Sequence, residues 1–308
     1  MATLADLPNE GLPRELVAMI NKAAQDQSVV ARLAGEPIPM GDGETSFLYS
    51  TTEPEVQPVA EAAQKPTSGL GYGVRSITPQ KFATIVTVSE EFARANIAGI
   101  YDRIVSQLSA AAARGLDLAV LHGRNAATGD SFNVGNSGFV ANTTNEVVLG
   151  SGDDTTADLL AGYEMVAAGE HDFTGFGFDP QFRPVLIQAR DAAGNPTYQS
   201  SINLASGMDT LLGLPVSYGR TISGRSRNAA ATDTGVRGLG GDWSQVRYGF
   251  ADRVRIKTSD TATITDGSGN AVSMFQTNQI ALLVEFTMGW IVLDENAFVK
   301  YTNGSTGS

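Results

Sequence analysis

The side chain best suited to proton transfer near neutral pH is imidazole, and this chain of 308 residues carries two, His122 and His171. Neither has a nucleophile or orienting carboxylate placed by spacing, and no GxSxG, HExxH or GxxxxGKS/T string occurs. His122 closes a helical stretch, where positive charge is favoured, and His171 precedes Asp172 in a loop, so both read as structural. A hydrolase built on an aspartate and His171 has no supporting motif. Gly69, Gly71 and Gly73 form a G-x-G-x-G string, but no buried strand precedes it and no helix follows, so it reads as a flexible hairpin tip rather than a phosphate loop. Asp153, Asp154 and Asp158 offer oxygens for a hard cation without EF-hand spacing, and helix capping is the simpler account. The chain has no cysteine, which removes disulfides, thiol nucleophiles and thiolate metal sites together. With only two histidines a multi-histidine metal site is excluded as well. No metal, cofactor or enzymatic centre is predicted.

The elements that surround these residues are unusual in proportion. From Pro13 to Leu33, Leu16, Val17, Ile20, Ala23, Ala24, Val29, Val30 and Leu33 recur at helical spacing, which predicts an amphipathic helix ended by Gly35. Residues 36–88 carry strand-like runs at 45–50 and 82–88 with little large apolar content, and read as a long open hairpin. Such a segment cannot build a core of its own and must lie against something else, most simply another subunit. Ser89 then stands at a helix N-cap position with Glu90 and Glu91 in the first turn. The apolar stripe from Phe92 to Val120 predicts a helix of roughly 50 Å ending at Gly123.

Residues 124–156 are Gly, Asn, Ser and Thr rich, and a helix follows through Leu159, Leu160, Tyr163, Met165 and Val166. Pro184 to Gln188 and Leu211 to Tyr218 read as strand-like, and 235–241 as a glycine-rich loop. Further strands are expected around Val246 to Phe250 and Val254 to Thr258, then a turn at 266–270. Ile280, Leu282, Val284, Phe286, Met288, Trp290 and Val292 alternate without a break, which predicts a strand of roughly 40 Å. A long helix beside a long strand suits a plate-shaped subunit better than an enzyme.

Composition narrows the partners. With 33 acidic and 21 basic side chains the net charge is −12, so neither nucleic acid nor an anionic membrane would be drawn to the surface in general. A hydrophobic fraction of 42% is enough for a core. No apolar run reaches membrane-spanning length and the first residues form no signal peptide, so a soluble, unsorted product is expected.

The order of parts resembles the HK97-fold major capsid proteins of tailed bacteriophages. The residues carrying the match are 29–34 (VVARLA) with Pro39 and Met40, 65–68 (KPTS), 77–81 (ITPQK), 88–91 (VSEE), 116–123 (LDLAVLHG), 190–198 (RDAAGNPTY), 211–216 (LLGLPV), 241–244 (GDWS), 275–283 (FQTNQIALL) and 297–301 (AFVKY). Each is short, and their shared order over nearly the whole chain makes the match. The resemblance implies an α+β fold with an N-terminal arm (1–35), an extended E-loop (36–88) and a peripheral domain with a spine helix (89–156). An axial domain (157–270), the peripheral long strand (271–292) and an axial return strand with tail (293–308) would follow. It implies hexamers and pentamers tiling an icosahedral head around double-stranded DNA, with portal and scaffold proteins, and in some relatives a decoration protein, as partners. The virion, assembled in the host bacterial cytoplasm, is the implied location. No long coiled-coil segment precedes the arm in this sequence, so a separate scaffold, or none, is implied.

In some relatives an E-loop lysine forms an isopeptide bond with an asparagine of another subunit, helped by a glutamate. The matching positions are Lys65, Asn278 and Glu285. The amine must lose a proton to attack the amide, which calls for an apolar pocket and a nearby base. On one straight strand Asn278 and Glu285 would lie roughly 23 Å apart on opposite faces, so a shared site needs different subunits. The bland reading is a solvated ion pair for Lys65 and ordinary backbone or Arg contacts for the other two. The hairpin carries Glu36, Glu53, Glu55 and Glu61, and the spine side carries Arg94, Arg103, Arg114 and Arg124, which predicts ion pairing between subunits. Two other readings stay open at this point: an encapsulin-type shell enclosing cargo, and a β-rich surface binding module.

Overall fold

The computed structural model describes residues 27–41, 43–52, 54–61, 63–91, 100–132, 135–150, 155–190, 194–198, 208–225, 233–250, 255–266 and 268–303. In chain order they form helix α1 (Val29–Ala34), strands β1 (Thr45–Thr52), β2 (Gly71–Ile77) and β3 (Gln80–Ser89), helix α2 (Ile100–His122), strand β4 (Glu146–Leu149) and helix α3 (Thr155–Ala168). Then come strand β5 (Gly175–Phe178), helix α4 (Arg183–Gln188), and strands β6 (Thr210–Leu211), β7 (Leu214–Tyr218), β8 (Val236–Gly241), β9 (Val246–Phe250) and β10 (Arg255–Ser259). Strands β11 (Thr263–Thr265), β12 (Ala271–Ser273), β13 (Gln279–Val292) and β14 (Phe298–Asn303) complete the order.

The alternating run near the C-terminus becomes β13, the centre of a four-stranded sheet. It pairs antiparallel with β3 from Gln279↔Ser89 to Met288↔Gln80. Along its other edge β10 and β9 pair in tandem, at 281–285 and 288–292. Met288, Trp290 and Val292 share a core with Leu116, Ala119 and Val120 of α2, as a half-buried strand under a helix requires. At this end the opposite face is covered too, because Ile291 packs with Met40 and Ile77. The cross-strand pair Gly289↔Gly249 makes that possible. A Cβ on Gly249 would run into the Ile38 carbonyl and Met40, and one on Gly289 into Ile77 and Met40. The strap 35–40 is then tied down where Ile38 N–H donates to the Tyr248 carbonyl and Tyr248 Oη donates to the Gly35 carbonyl, both at 2.8 Å.

A six-stranded sheet in the order β4-β14-β8-β5-β7-β6 holds the second core. Phe173, Phe176, Phe178 and Phe182 form a run of rings with centroids 4.7, 5.4 and 4.7 Å apart. Within 235–241, expected as a loop, Val236–Gly241 form the buried central strand β8. Phe178 lies against Gly238 and Phe173 against Gly240, so close that any Cβ there would collide. Glycine here makes room for rings from a distant segment, a cause that local turn propensity does not carry.

Three other expectations need correction. The 184–188 run is the helix α4, with a proline in its first turn. The expected 13–33 helix is interrupted at Ser28, whose backbone is extended (φ −80°, ψ 136°) and whose Oγ caps α1 by accepting from Ala31 N–H; residues 1–26 lie outside the described ones. Gly71 and Gly73 stand inside β2 rather than at a hairpin tip, and only Gly69 falls in the connection. Strand β4, within the Gly-, Asn-, Ser- and Thr-rich stretch 124–156, pairs parallel with β14. Helix α2 is described over 23 residues, about 34 Å; residues 90–91 are helical directly after β3, and 92–99 lie outside the described residues. Among the described residues no helix is long and apolar enough to cross a membrane.

Candidate functional site

The hairpin exposes large apolar side chains that its own chain leaves uncovered among the described residues. Strands β1 and β2 pair from Thr45↔Ile77 to Thr52↔Gly71. One face presents Leu48, Tyr72 and Val74, each about two-thirds exposed, and Leu70 lies beyond them in the connection. On the other face Gly73 leaves room for the Tyr49 ring, over which the Arg75 guanidinium sits at 5.6 Å. The connection 54–70 is exposed where it is described, and Glu55 N–H donates to Ser68 Oγ across it at 3.0 Å. Glu55, Glu61 and Lys65 all lie here in the open, whereas Glu53 and Arg94 fall outside the described residues. Arg103 lies on α2. A two-stranded hairpin with an apolar face is marginal in water without a partner surface.

The start of α1 is held to α2 by a buried carboxylate. Asp117, 2% exposed on α2, accepts from Ser28 Oγ at 2.5 Å, from Val29 and Val30 N–H at 3.2 Å and from Thr221 Oγ at 2.9 Å. Burial raises its pKa above the usual carboxylate value, and the four donors pull it back. One turn further on, His122 meets the Ile222 carbonyl at 2.8 Å through Nε2. Burial depresses its pKa to about 4, so it is a neutral imidazole rather than the favoured helix-end cation. Together the two side chains clamp α2 to the start of α1 and to the turn at 220–223.

The three residues matched to a cross-link lie apart in function within one chain. Asn278 is exposed and precedes β13 with φ 49°, a left-handed conformation that asparagine tolerates, and its carbonyl accepts from Glu90 N–H at 2.9 Å. Glu285 is engaged by Lys81 at 2.8 Å. Lys81 is diagonal to it in the β3–β13 ladder, so the pair is a product of register. Asp158 accepts from Gly150 N–H at 2.8 Å, an ordinary loop-to-helix tie, and Asp153 and Asp154 lie outside the described residues. His171 Nε2 faces Asp294 at 3.2 Å. Among the described residues no cluster of His, Asp and Glu could hold a metal.

The sequence reading overlooked two buried carboxylates. Asp117 was visible as a lone acid inside the apolar run 116–121, a signal of a buried polar role. Asp179, fully buried, takes both Arg225 Nη2 contacts at 2.6 and 2.7 Å and accepts from Ser223 Oγ. Its place before Pro180 marks a helical start, which it also caps through Gln181 N–H.

Two cores, a long helix along a long strand and a projecting hairpin define a protein of the HK97-like capsid fold. A solved chain from Gordonia phage Cozz superposes with a TM-score of 0.74 at 32% identity, covering 91% of this chain and 87% of that one. One from Mycobacterium phage Ogopogo gives 0.70 at 23% identity over 90% and 92%, and shares the fold. The probable major capsid protein gp17 of Mycobacterium phage L5 is 30% identical over 294 residues, 91% of this chain and 85% of that protein. The sequence profile of the phage capsid family matches residues 11–303, and the chain belongs to that family. Its work is that of a structural capsid subunit that self-assembles, and the cargo-enclosing alternative is not favoured.

Proposed function

We propose that this major capsid protein assembles through hexamers and pentamers into an icosahedral head around double-stranded DNA. The hairpin of each subunit would reach over a neighbour. The observation that carries the reading is the apolar face of Leu48, Tyr72 and Val74, which nothing in its own chain covers among the described residues. In this reading the β13 sheet with α2 is the peripheral domain, and the β14 sheet with α3 is the axial one. The net charge of −12 fits DNA enclosed without tight or sequence-specific binding. Portal, scaffold and decoration proteins are partners that family membership suggests. Sedimentation and negative-stain imaging of the purified chain test the proposal: megadalton shells or capsomers support it, and a persistent 32.3 kDa monomer, with scaffold supplied, overturns it.

The acidic hairpin residues Glu53, Glu55 and Glu61 would face arginines of the neighbour such as Arg94 and Arg103. Reversing Glu53 and Glu55 to Lys is then expected to impair assembly with the isolated fold intact, and normal shells from that variant count against the pairing. A covalent bond from the Lys65 amine to the side-chain carbonyl carbon of Asn278 of another copy, the amide nitrogen leaving as ammonia, has the exposure of both residues in its favour. Glu285 would first have to leave Lys81 to serve as the base. A ladder of multimers on a denaturing gel of mature particles supports the bond, and a single 32.3 kDa band removes it.

A further inference from the structure

Of the strand edges left without partners among the described residues, those of β3 and β1 complement each other. Strand β3 is the terminal strand of its sheet, with β13 on one side only, over ten residues. Strand β1 belongs to a two-stranded sheet and pairs only with β2. Proteins that leave long edges open in solution blunt them with prolines, charges or bulges. Neither edge carries a proline, and the one register irregularity of β1 lies near its end, between Ser50 and Thr52. Strand β1 (TSFLYSTT) has no charged residue and no proline, and β3 (QKFATIVTVS) has one lysine, which is turned onto Glu285. Prolines instead bracket β1, with Pro37 and Pro39 before it and Pro54 and Pro58 after it. They confine any pairing to the length of the strand itself.

Space for an added strand exists beside β3. A cleft of about 520 Å³ runs along residues 80–84, both side-chain parities of β3 included, so the strand's backbone edge borders it. Its other wall is α2, where Arg114 stands among the small residues Ala111 and Gly115. Phe82 and Phe286, stacked at 5.5 Å, form an apolar surface on the α2 side. Five residues at about 3.3 Å each give roughly 16 Å of edge, enough for four or five ladder positions. The chain's own β1 is held upstream, since β2 feeds β3 through Thr78 and Pro79 alone and the two strands do not pair.

We infer that β1 of one copy adds as a strand to the open edge of β3 in a second copy. The four-stranded sheet then continues into the neighbour's hairpin, and Leu48 and Val74 extend the apolar surface begun by Phe82. The inference rests on the capsid reading and adds to it the receiving strand, the groove and a mode of docking, backbone pairing, that acts beside the surface ion pairs.

The absence of cysteine makes the test clean. Ser46→Cys or Leu48→Cys, each combined with Thr84→Cys or Val86→Cys, places thiols on matching faces of the two strands. Directly opposed residues in adjacent strands come within disulfide reach. Particles of at least one pairing are expected to give a ladder of multimers on a non-reducing denaturing gel, while Phe47→Cys with Thr84→Cys, on opposite faces, stays monomeric. Amide hydrogen exchange on the unaltered protein gives a second reading: 45–52 and 80–89 should both gain at least tenfold protection on going from dissociated subunits to shells. Shells that form without any such ladder, or without protection in either strand, overturn the strand addition and leave the capsid reading standing. Wild-type chain that forms no shells overturns both. A ladder from Val74→Cys with Thr84→Cys but from none of the β1 pairings would assign the edge to β2 and also refute it.

Discussion

The buried six-stranded sheet and the exposed hairpin are built from similar residue types and reach opposite states. In the sheet, Gly238 and Gly240 are covered by Phe178 and Phe173, and Tyr301 reaches across to donate to the Leu159 carbonyl at 3.0 Å. In the hairpin, Gly73 is covered by Tyr49 in the same way, yet Leu48, Tyr72 and Val74 on the other face meet solvent. The sheet satisfies its apolar surface within one chain. The hairpin satisfies half of it and leaves the rest for another copy. Substitutions should therefore separate into those that unfold the subunit and those that leave it folded but unable to assemble.

The largest effect is expected at Asp117. Asp117→Ala leaves two hydroxyls and two backbone N–H groups without their acceptor in a dry site, so a loss of about 4 kcal/mol or more is expected, read from the urea midpoint of dissociated subunits. If the comparison holds, Ser28→Ala weakens the same clamp by a smaller amount, about 1 kcal/mol, because α1 loses its cap but Asp117 keeps three donors. Gly240→Val should cost about 1 to 3 kcal/mol by forcing Phe173 from its place, and Phe173→Leu in the same chain should recover part of the loss.

Acid gives the next contrast. His122 is held from 6.5 down to about 4 in the fold, so as pH falls the unfolded chain takes up the proton first. Stability due to this group is whole above pH 6.5 and declines below it, by about 2 to 3 kcal/mol at pH 4.5. Asp117 works in the opposite sense: its raised folded pKa means that acid relieves part of its cost. Urea midpoints measured from pH 7 to 4.5 should fall more steeply for the wild type than for His122→Gln. Equal slopes would mean that His122 is not the group that sets the acid limb.

How far the sequence revealed this arrangement depended on whether the cause was local. Strand β13 was legible because a strict period of two has one structural meaning. The hairpin was legible through what it lacks, since fifty residues with few large apolar groups cannot enclose a core. Strand β8 was not, because glycine signals a turn locally and a strand only when rings from 173–178 cover it. Helix α4 was misread because a short apolar run fits either element, and the proline at its start decides only once the preceding turn at Asp179 is known. Asp117 was overlooked although it is an acid in an apolar helix, and its partner Ser28 lies 89 residues away. The Lys81–Glu285 pair follows from β3–β13 register, which residue spacing along the chain does not encode.

The Lys81–Glu285 pair should matter little to the isolated subunit. Lys81 is 60% exposed at its side chain, so Lys81→Met is expected to cost no more than about 1 kcal/mol. The smallest effect on stability is expected on the hairpin itself. Leu48→Ser with Val74→Ser replaces two side chains that are already in water, and the melting temperature of dissociated subunits should be unchanged within error. Assembly should nevertheless fail or slow sharply, because the lost apolar area is area that only a second copy would bury. A variant that melts several degrees lower would mean that the hairpin already packs within its own chain. One that assembles normally at wild-type rates would mean that the exposed face is not the contact. Either result would dissolve the division between the two regions, and a stable subunit that does not assemble would draw its boundary at the hairpin.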